Sequence, residues 1–312
     1  MILTVTMNPS VDISYPIPDF KLDDVNRVDG VRKTAGGKGL NVARVIKQMG
    51  EGVVTTGVLG GTIGDYIIQE LLKDRIENDF LKINQESRNC IAILHDSKQT
   101  EILESGPTLS AEDGTAFLAK FDILLTGVSL VTISGSLPKG LLPGFYRQMV
   151  ELSHERGIPV VVDTSGEALH QVLLNEVKPF AIKPNITELS QLLGINVEPS
   201  IESLRQALAN EWFQGIEWIV VSMGWSGAFV KHGHDFYQVT IPKINVVNPV
   251  GSGDATVAGF AVAVKHSQPV QIVLKTAMTT GILNTMEAVT GYINTANFEY
   301  IFKQVQVEKI DS

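Results

Sequence analysis

The chain has 312 residues, of which 44% are apolar and 19% charged, and its formal net charge is -9. This composition predicts a soluble protein with a substantial core, and the acidic balance excludes a nucleic-acid binder that works through a basic face. The longest apolar segment, around 257–264, is far shorter than the ~20 residues of a membrane span. With Cys90 as the single cysteine and no secretory signal at the N-terminus, we expect a cytoplasmic protein.

In chain order, the first element is a β-rich run over 2–7, which ends at the turn signal Asn8-Pro9. The next run, 11–17, alternates and then meets two prolines, a pattern typical of an edge strand. The patterns that follow predict a helix over 38–49, a strand over 53–59, a helix over 65–73, and a hairpin of 89–95 and 100–104 joined by 96–99.

From residue 128 predicted strands alternate with predicted helices. The strands cover 128–134, 158–163, 179–183 and 218–222, and the helices cover 143–156, 166–174, 187–193 and 201–211. A hairpin of 228–232 and 235–241 follows, and helices over 251–265 and 270–286 are predicted to close the chain. We therefore predict one α/β domain over 1–312, a doubly wound, mostly parallel sheet with helices on both faces. A small β-sheet lid is predicted from about 10–33 and 87–105.

The most informative segment is 248–260, NPVGSGDATVAGF, where a glycine-rich loop leads into a predicted helix. The backbone N–H groups of a helix N-terminus, exposed here by Gly251 and Gly253, are suited to phosphate oxygens. Asp254, in the first turn beside this anion site, is placed to accept a proton from an attacking hydroxyl. The alternative is that Asp254 is only a favourable first-turn acid.

A second glycine-rich segment, AGGKGLNVA over 35–43, leads into the helix predicted at 38–49. Consecutive glycines let the backbone approach a ligand closely, and Lys38 and Asn41 supply donors for sugar hydroxyls or phosphate. Lys38 is followed by Gly39 rather than Ser or Thr, so the segment is not a Walker A loop. A plain turn into an amphipathic helix is the alternative.

The third segment, KPNITE over 183–188, joins the end of a predicted strand to a helix. Asn185 as N-cap, with Glu188 as its capping-box partner, is an ordinary helix start. For this segment taken alone, that purely structural interpretation is favoured.

Taken together, five segments resemble the ribokinase-like sugar kinases, specifically their phosphofructokinase-B branch. AGGKGLN and VGSGDATVAG match the two motifs of the family, and KPNITEL, GVLGGTIGD and SGSLPKG match three further family segments. The five occur in the family order and span nearly the whole chain. The resemblance implies a ribokinase-like fold and an ATP-dependent sugar kinase.

For the reacting groups, the resemblance implies roles residue by residue. Asp254 matches the catalytic base, and Gly251, Ser252 and Gly253 match the anion hole for the transferred phosphoryl group. Asn185 and Glu188 match the pair that holds Mg²⁺ through water. The residues that match ATP contacts are Lys183, Asn185, Ser222, Gly224, Gly251, Gly253 and Asn284.

On the sugar side, Asp12 matches an acid that hydrogen-bonds sugar hydroxyls. Arg27 and Arg88 match cationic positions that bind a phosphate already on the substrate, and a guanidinium is suited to such contacts. Without the motif context, either arginine would be interpreted as a solvated surface charge. The other residues that match sugar contacts are Gly37, Lys38, Asn41 and Ser136.

Two positions depart from the family pattern. Asn248-Pro249 stands where many relatives have Asp-Thr or Ser-Thr, so the resemblance carries over no monovalent-cation site. Glu101 stands where some fructose-6-phosphate kinases of the branch have a second arginine. Together with AGGKGLNVARV and NPVGSGDAT, these features resemble tagatose-6-phosphate kinases most, and 1-phosphofructokinases next.

The resemblance thus implies a kinase that phosphorylates the 1-hydroxyl of D-tagatose 6-phosphate, a step in lactose and galactose breakdown. The alternatives are a 1- or 6-phosphofructokinase and, from another class, a sugar-phosphate sensor without activity. The intact Gly-x-Gly-Asp and Asn-x-x-Glu argue against a sensor, which needs neither a base nor a metal clamp. The implied partners are ATP, Mg²⁺ and a phosphosugar, and a homodimer joined through the lid is expected.

Overall fold

The computed structural model describes residues 1–96 and 98–310, so Ser97 of the predicted 96–99 turn, Asp311 and Ser312 lie outside the described residues. The strands are β1 Ile2–Thr6, β2 Ser10–Pro16, β3 Arg32–Gly36, β4 Val53–Gly60, β5 Glu77–Asn78, β6 Leu81–Ile83, β7 Arg88–His95, β8 Lys98–Leu103, β9 Leu130–Ser134, β10 Val160–Asp163, β11 Ala181–Ile182, β12 Trp218–Ser222, β13 Ala228–His232, β14 Asp235–Thr240 and β15 Gln306–Ile310. The helices are α1 Lys38–Gln48, α2 Gly61–Lys73, α3 Ala111–Leu124, α4 Phe145–Glu155, α5 Gly166–Leu173, α6 Ile186–Leu193, α7 Ile201–Leu208, α8 Ser252–Lys265, α9 Val270–Thr285 and α10 Phe298–Gln304.

Across the described part of the chain, the larger sheet has 11 strands in the order β15-β14-β13-β12-β11-β10-β9-β1-β4-β5, with β6 beside β4. All neighbours from β12 to β5 are parallel. Beyond β12, the strands β13, β14 and β15 extend the sheet, each antiparallel to the strand before it. The predicted doubly wound, mostly parallel sheet is therefore confirmed.

Helices cover both faces of this sheet, because its strands are apolar on both sides. Neighbouring residues of one strand enter different cores. Val161 belongs to the core beneath α1, α2, α8 and α9, whereas Val162 belongs to the core beneath α3 to α7. None of the described helices is both long and apolar enough to cross a membrane.

The lid is a second sheet, with the strand order β3-β2-β7-β8. The predicted small β-sheet lid is confirmed, but the prediction that 11–17 forms an edge strand is wrong. β2 is an inner strand, antiparallel to β3 and parallel to β7. Its proline does not disrupt this pairing, because Pro16 is its last residue and the chain continues the ladder with Ile17 N–H donating to Leu94 O at 2.9 Å.

Among the described strands and helices, six were not predicted from the sequence patterns, namely α3, α10, β3, β5, β6 and β15. The helices at 251–265 and 270–286 do not close the chain, because α10 and β15 follow them and β15 pairs with β14. The apolar residues of α3 are distributed around the helix and give no clear stripe. A local signal was nevertheless present, since Ser110 and Asp113 form a capping box at its start.

The sheet order determines where a ligand site forms. From β1 the chain continues to β4 on one side and later returns to β9 on the other. In open α/β sheets, ligands bind at such a reversal, outside the carboxyl ends of the strands. The lid strand β2 begins there, directly after β1.

Candidate active site

A polar cavity of about 210 Å³ opens at the carboxyl ends of β1, β9 and β10. Its lining residues are Thr6, Asn8, Gly37, Lys38, Arg88, Gly135, Ser136, Thr164 and Ser165. Four of the predicted sugar-side residues, Gly37, Lys38, Arg88 and Ser136, are thereby brought together. The other lining residues were not predicted, although each follows or ends a buried strand, which is the available signal.

Asp254 lies in the first turn of α8 and is only 6% exposed. Asn41, from α1, donates from Nδ2 to Asp254 Oδ2 at 2.8 Å. This contact joins the two glycine-rich motifs, which are more than two hundred residues apart in sequence. Asp254 itself belongs to the first turn of α8, and the first N–H groups of a helix have no carbonyl partner within it.

The glycine before α8 is required by geometry. Gly251 has φ +82°, and a Cβ there would lie 2.4 Å from Cγ2 of Thr290. Any larger residue would displace the loop, so the sequence VGSGD is what lets the backbone form this tight helix start. The predicted anion-hole residues Gly251, Ser252 and Gly253 form this turn.

Burial and, after it, the nearby carboxylate of Asp163 raise the pKa of Asp254, and Lys38, the Asn41 amide and Lys183 lower it. The net effect of these groups is a pKa of about 7. A group with this pKa is ionised in about half of the molecules at neutral pH. That is the range in which a general base works best.

Asp163, at the end of β10, was not predicted as a site residue. Its carboxylate is 2% exposed and lies between two ammonium groups, 3.4 Å from Lys183 Nζ and 3.6 Å from Lys38 Nζ. Burial acts to raise the pKa of Asp163, but the two lysines lower it below its usual value. Asp163 in turn raises the pKa of Lys38.

Lys183 also approaches the turn of Gly251, Ser252 and Gly253, the predicted anion loop. A Cβ at Gly253 would lie 3.2 Å from Lys183 Nζ, so the missing side chain leaves room for the ammonium group. Lys38 and Lys183 thus converge on the region between the cavity and the start of α8. Two cations and a helix N-terminus at one point suit the negative charge of phosphoryl groups.

Asn185 and Glu188 form a capping box at the start of α6. Glu188 N–H donates to Asn185 Oδ1 at 2.8 Å, and Asn185 N–H donates to Glu188 Oε2 at 2.9 Å. The capping-box interpretation of this segment is therefore confirmed, and its role in holding a metal stays a prediction. Ser222, at the end of β12, forms an isolated parallel β-bridge with Asn185. The predicted metal position and the predicted nucleotide position are therefore adjacent.

On the lid, Asp12 accepts a hydrogen bond from Ser10 Oγ at 2.7 Å, and burial raises its pKa. A Cβ at Gly36 would lie 2.1 Å from this carboxyl group. Arg88 lines the cavity, and its Nε donates to Asn8 O at 3.2 Å. Arg27, by contrast, is exposed in the loop between β2 and β3 and is not among the residues that line the cavity.

The last two predicted nucleotide contacts are Gly224 and Asn284. Gly224 has φ +57° and begins a tight turn after β12. Asn284 is buried beneath Gly251, where its Nδ2 donates to Tyr292 O at 3.1 Å. A Cβ at Gly251 would lie 2.9 Å from Asn284 Oδ1, so this side chain contacts the underside of the anion loop. Its direct contact with a nucleotide stays a prediction.

The fold and this arrangement define an α/β protein whose site is suited to phosphoryl transfer onto a small polar molecule. The chain belongs to the pfkB family of carbohydrate kinases, whose family model matches residues 5–295.

Solved structures with the same fold include a candidate phosphofructokinase from Staphylococcus aureus, at 29% identity over 100% of this chain and 99% of that one, with a TM-score of 0.84. A candidate 1-phosphofructokinase from Thermotoga maritima is 26% identical over 100% of both chains, with a TM-score of 0.90. Phosphofructokinase-2 from Escherichia coli, solved with potassium, is 24% identical over 97% of this chain and 98% of that one, with a TM-score of 0.89. At that identity the last similarity concerns the fold.

Proposed function

We propose that the protein transfers the γ-phosphoryl group of ATP to the 1-hydroxyl of D-tagatose 6-phosphate, giving tagatose 1,6-bisphosphate and ADP. The observation that carries the proposal is the buried Asp254 carboxylate at the start of α8, beside the glycine loop and linked by Asn41 to the cavity motif. The alternatives within the family are fructose 1-phosphate and fructose 6-phosphate as acceptors. A sugar-phosphate sensor is less well supported, because it would not need a base with a pKa near neutrality.

In the proposed reaction, Asp254 accepts the proton of the 1-hydroxyl as its oxygen attacks the γ-phosphorus. The bond from the γ-phosphorus to the bridging oxygen breaks, and ADP leaves with the electron pair. The N–H groups of the Gly251–Gly253 turn stabilise the negative charge on the transferred group. Lys38 and Lys183 add positive charge on the cavity side and the loop side.

The residues around α6 fit a Mg²⁺ ion that travels with ATP. Mg²⁺ is commonly bound by one or two carboxylates, substrate phosphates and water rather than by a full protein cage. Among the described residues no group of three acidic, His or Cys side chains forms such a cage. Glu188 uses one carboxylate oxygen in the capping box, which leaves the other for a water-mediated contact, while Asn185 holds Glu188 in place. When bound, Mg²⁺ would supply positive charge to the phosphates.

We expect Glu188→Gln to raise the Mg²⁺ concentration needed for half-maximal rate, since the substitution removes a negative charge and keeps an oxygen for the capping box. Any loss of stability should not exceed about 1 kcal/mol. The matched control is Asp113→Asn, the same change in the capping box of α3. An unchanged Mg²⁺ titration in Glu188→Gln, with a melting temperature lowered as in the control, would restrict Glu188 to capping.

The substrate is proposed to carry a phosphate because Arg88 presents a cation to the cavity. The relatives described as candidate phosphofructokinases support a ketohexose phosphate as the acceptor. We propose tagatose 6-phosphate rather than a fructose phosphate because of the motif forms AGGKGLNVARV and NPVGSGDAT and because of Glu101 in β8. Arg27 would reach the phosphate of the substrate only if the loop between β2 and β3 folded towards the cavity that Arg88 lines.

The test is ADP release with a panel of ketose phosphates and free ketoses. Tagatose 6-phosphate should be used best, fructose 6-phosphate less efficiently, and free tagatose or fructose poorly. Arg88→Ala should raise KM for every phosphosugar by a similar factor of about 10–10², the worth of a lost charged hydrogen bond, and leave the epimer preference unchanged.

Lys33→Ala, at an exposed cation of the same sheet, is the control for Arg88→Ala and should leave KM unaltered. Equal turnover of free tagatose and its 6-phosphate would disprove the phosphate pocket. A clear preference for fructose 1-phosphate would reassign the enzyme to the neighbouring subfamily.

The lid is also proposed to join two copies of the chain. Leu22 and Val25, in the loop between β2 and β3, are 85% and 70% exposed, and Ile102 and Leu103 of β8 are exposed as well. Burying such side chains against a second copy would contribute to association.

A further inference from the structure

Arg44 of α1 makes polar contacts with four separate parts of the molecule, although its side chain is only 12% exposed. It donates to the Asn41 side chain, to the backbone of lid strand β3, to the cap of α2 and to the segment after α9. The acceptors are Asn41 Oδ1 at 3.0 Å, Thr290 O at 3.2 Å, Asp74 Oδ2 at 3.1 Å and Ala35 O. None of the roles that the family resemblance implies falls on Arg44.

The contact with Asn41 determines which way that amide faces. A guanidinium can only donate hydrogen bonds, so Arg44 must face the oxygen of the Asn41 amide and not its NH₂ group. The NH₂ group is therefore directed to the other side, where Nδ2 donates to Asp254 Oδ2 at 2.8 Å. With the amide reversed, Asn41 would present an oxygen lone pair to the carboxylate, which is repulsive.

Arg44 also holds the segment that packs against the anion loop. Thr290, whose carbonyl accepts from Arg44, is the residue whose methyl group leaves no room for a Cβ at Gly251. The next residue, Gly291, has φ +72°, and a Cβ there would lie 2.6 Å from Arg44 Nη1. The guanidinium thus needs a glycine at this position, as the anion loop does at Gly251.

We propose that Arg44 is a positioning residue that acts through Asn41 to keep a hydrogen-bond donor on Asp254. The inference rests on the proposed function insofar as Asp254 is the base. Besides Asn41, the charged groups that act on Asp254 are Asp163 on β10, Lys38 on α1 and Lys183 after β11, and none of them contacts Arg44. Substitution of Arg44 therefore leaves those three groups in place.

The test is Arg44→Lys, which keeps the charge but cannot donate in the same fixed geometry. Loss of the oriented donor should lower kcat about tenfold, with a smaller effect on KM for the phosphosugar. The acidic limb of the pH profile of kcat/KM should move up by roughly 0.5–1 unit, because an ionised Asp254 loses a hydrogen bond. This shift is independent of the fraction of enzyme that is folded.

A double-mutant cycle with Asn41→Ala separates positioning from packing. Arg44→Lys should change kcat less than twofold once Asn41 is absent. Equal effects in both backgrounds, or an unmoved acidic limb, would overturn the proposal. Arg75→Lys, an exposed arginine beside Asp74, is the matched control and should match the wild type.

A failure of the proposed function is recognised separately. In that case the wild type would release no ADP with any phosphosugar, or Asp254→Asn would retain full activity. The Arg44 result counts only after both of these measurements agree with the proposal.

Discussion

Asp254→Asn should lower kcat by about 10²–10⁴-fold, the usual worth of a general base, while the dissociation constants for ATP and sugar phosphate stay nearly unchanged. The substitution keeps the shape of the side chain and its place beside Asn41 but removes the ability to accept a proton. Single-turnover rates together with equilibrium binding of both substrates would measure the two expectations. Turnover near that of the wild type would remove Asp254 from the mechanism.

The same variant carries an internal control for folding. The pKa of Asp254 is raised to about 7 in the folded state. As the pH rises from about 4 to 7, the unfolded chain therefore loses this proton before the folded protein does, and the free energy of unfolding falls. An asparagine carries no such charge. Above pH 7 the variant should therefore unfold no more easily than the wild type, and by the size of the pKa shift it gains on the order of a few kcal/mol. Loss of activity without loss of stability is the combined signature.

Asp163→Asn should have the largest effect on stability, because it leaves the buried ammonium of Lys183 without its anion. Removing one partner of a buried ion pair costs about 3–5 kcal/mol. The pKa of Asp163 is lowered in the folded state, so its contribution is present above the pKa of the unfolded chain and is lost as the pH falls through the folded value. The stability gap between wild type and variant should therefore narrow in acid.

The pH profile of the Asp163 variant gives a second and opposite signature to that of Arg44. Asp163 raises the pKa of Asp254, so its neutralisation should move the acidic limb of kcat/KM to lower pH. The control is Thr132→Val, a buried position on the neighbouring strand β9 that lies opposite Val161, and it should leave the acidic limb in place. A limb that stayed fixed or moved upward in Asp163→Asn would contradict the electrostatic role of this carboxylate.

Much of the candidate site was predictable because the residues proposed to react lie within short segments. The residues from Gly251 to Asp254 form one helix start, and their spacing alone determines their geometry. The same holds for Lys38 and Asn41, which are one helical turn apart on α1. In each case the local backbone determines where the side chain points, so a motif predicts the position.

Asp163 and Arg44 show where such reasoning stops. Asp163 ends the run VVVD, and a carboxylate at a strand end gives no sign that two lysines from distant segments will surround it. Arg44 lies within a predicted helix, but its acceptors at Ala35 and Thr290 are backbone atoms, and no residue type marks a backbone acceptor. For Arg27 the limit is different, since the motif match predicts a role but not the path of an exposed loop.

The inner position of β2 in the lid has a consequence for how this domain can be divided. β2 and β7 pair in parallel, with Ser10 opposite Arg88 and Pro16 opposite Leu94, although α1, β4 and α2 lie between them in the chain. The lid is therefore not one contiguous segment that a single deletion could remove or a single insertion could transfer to another protein. Exchange of the lid between relatives requires two matched junctions. We also expect this sheet to form late in folding, because pairing strands so far apart in the chain carries a large loop-closure entropy.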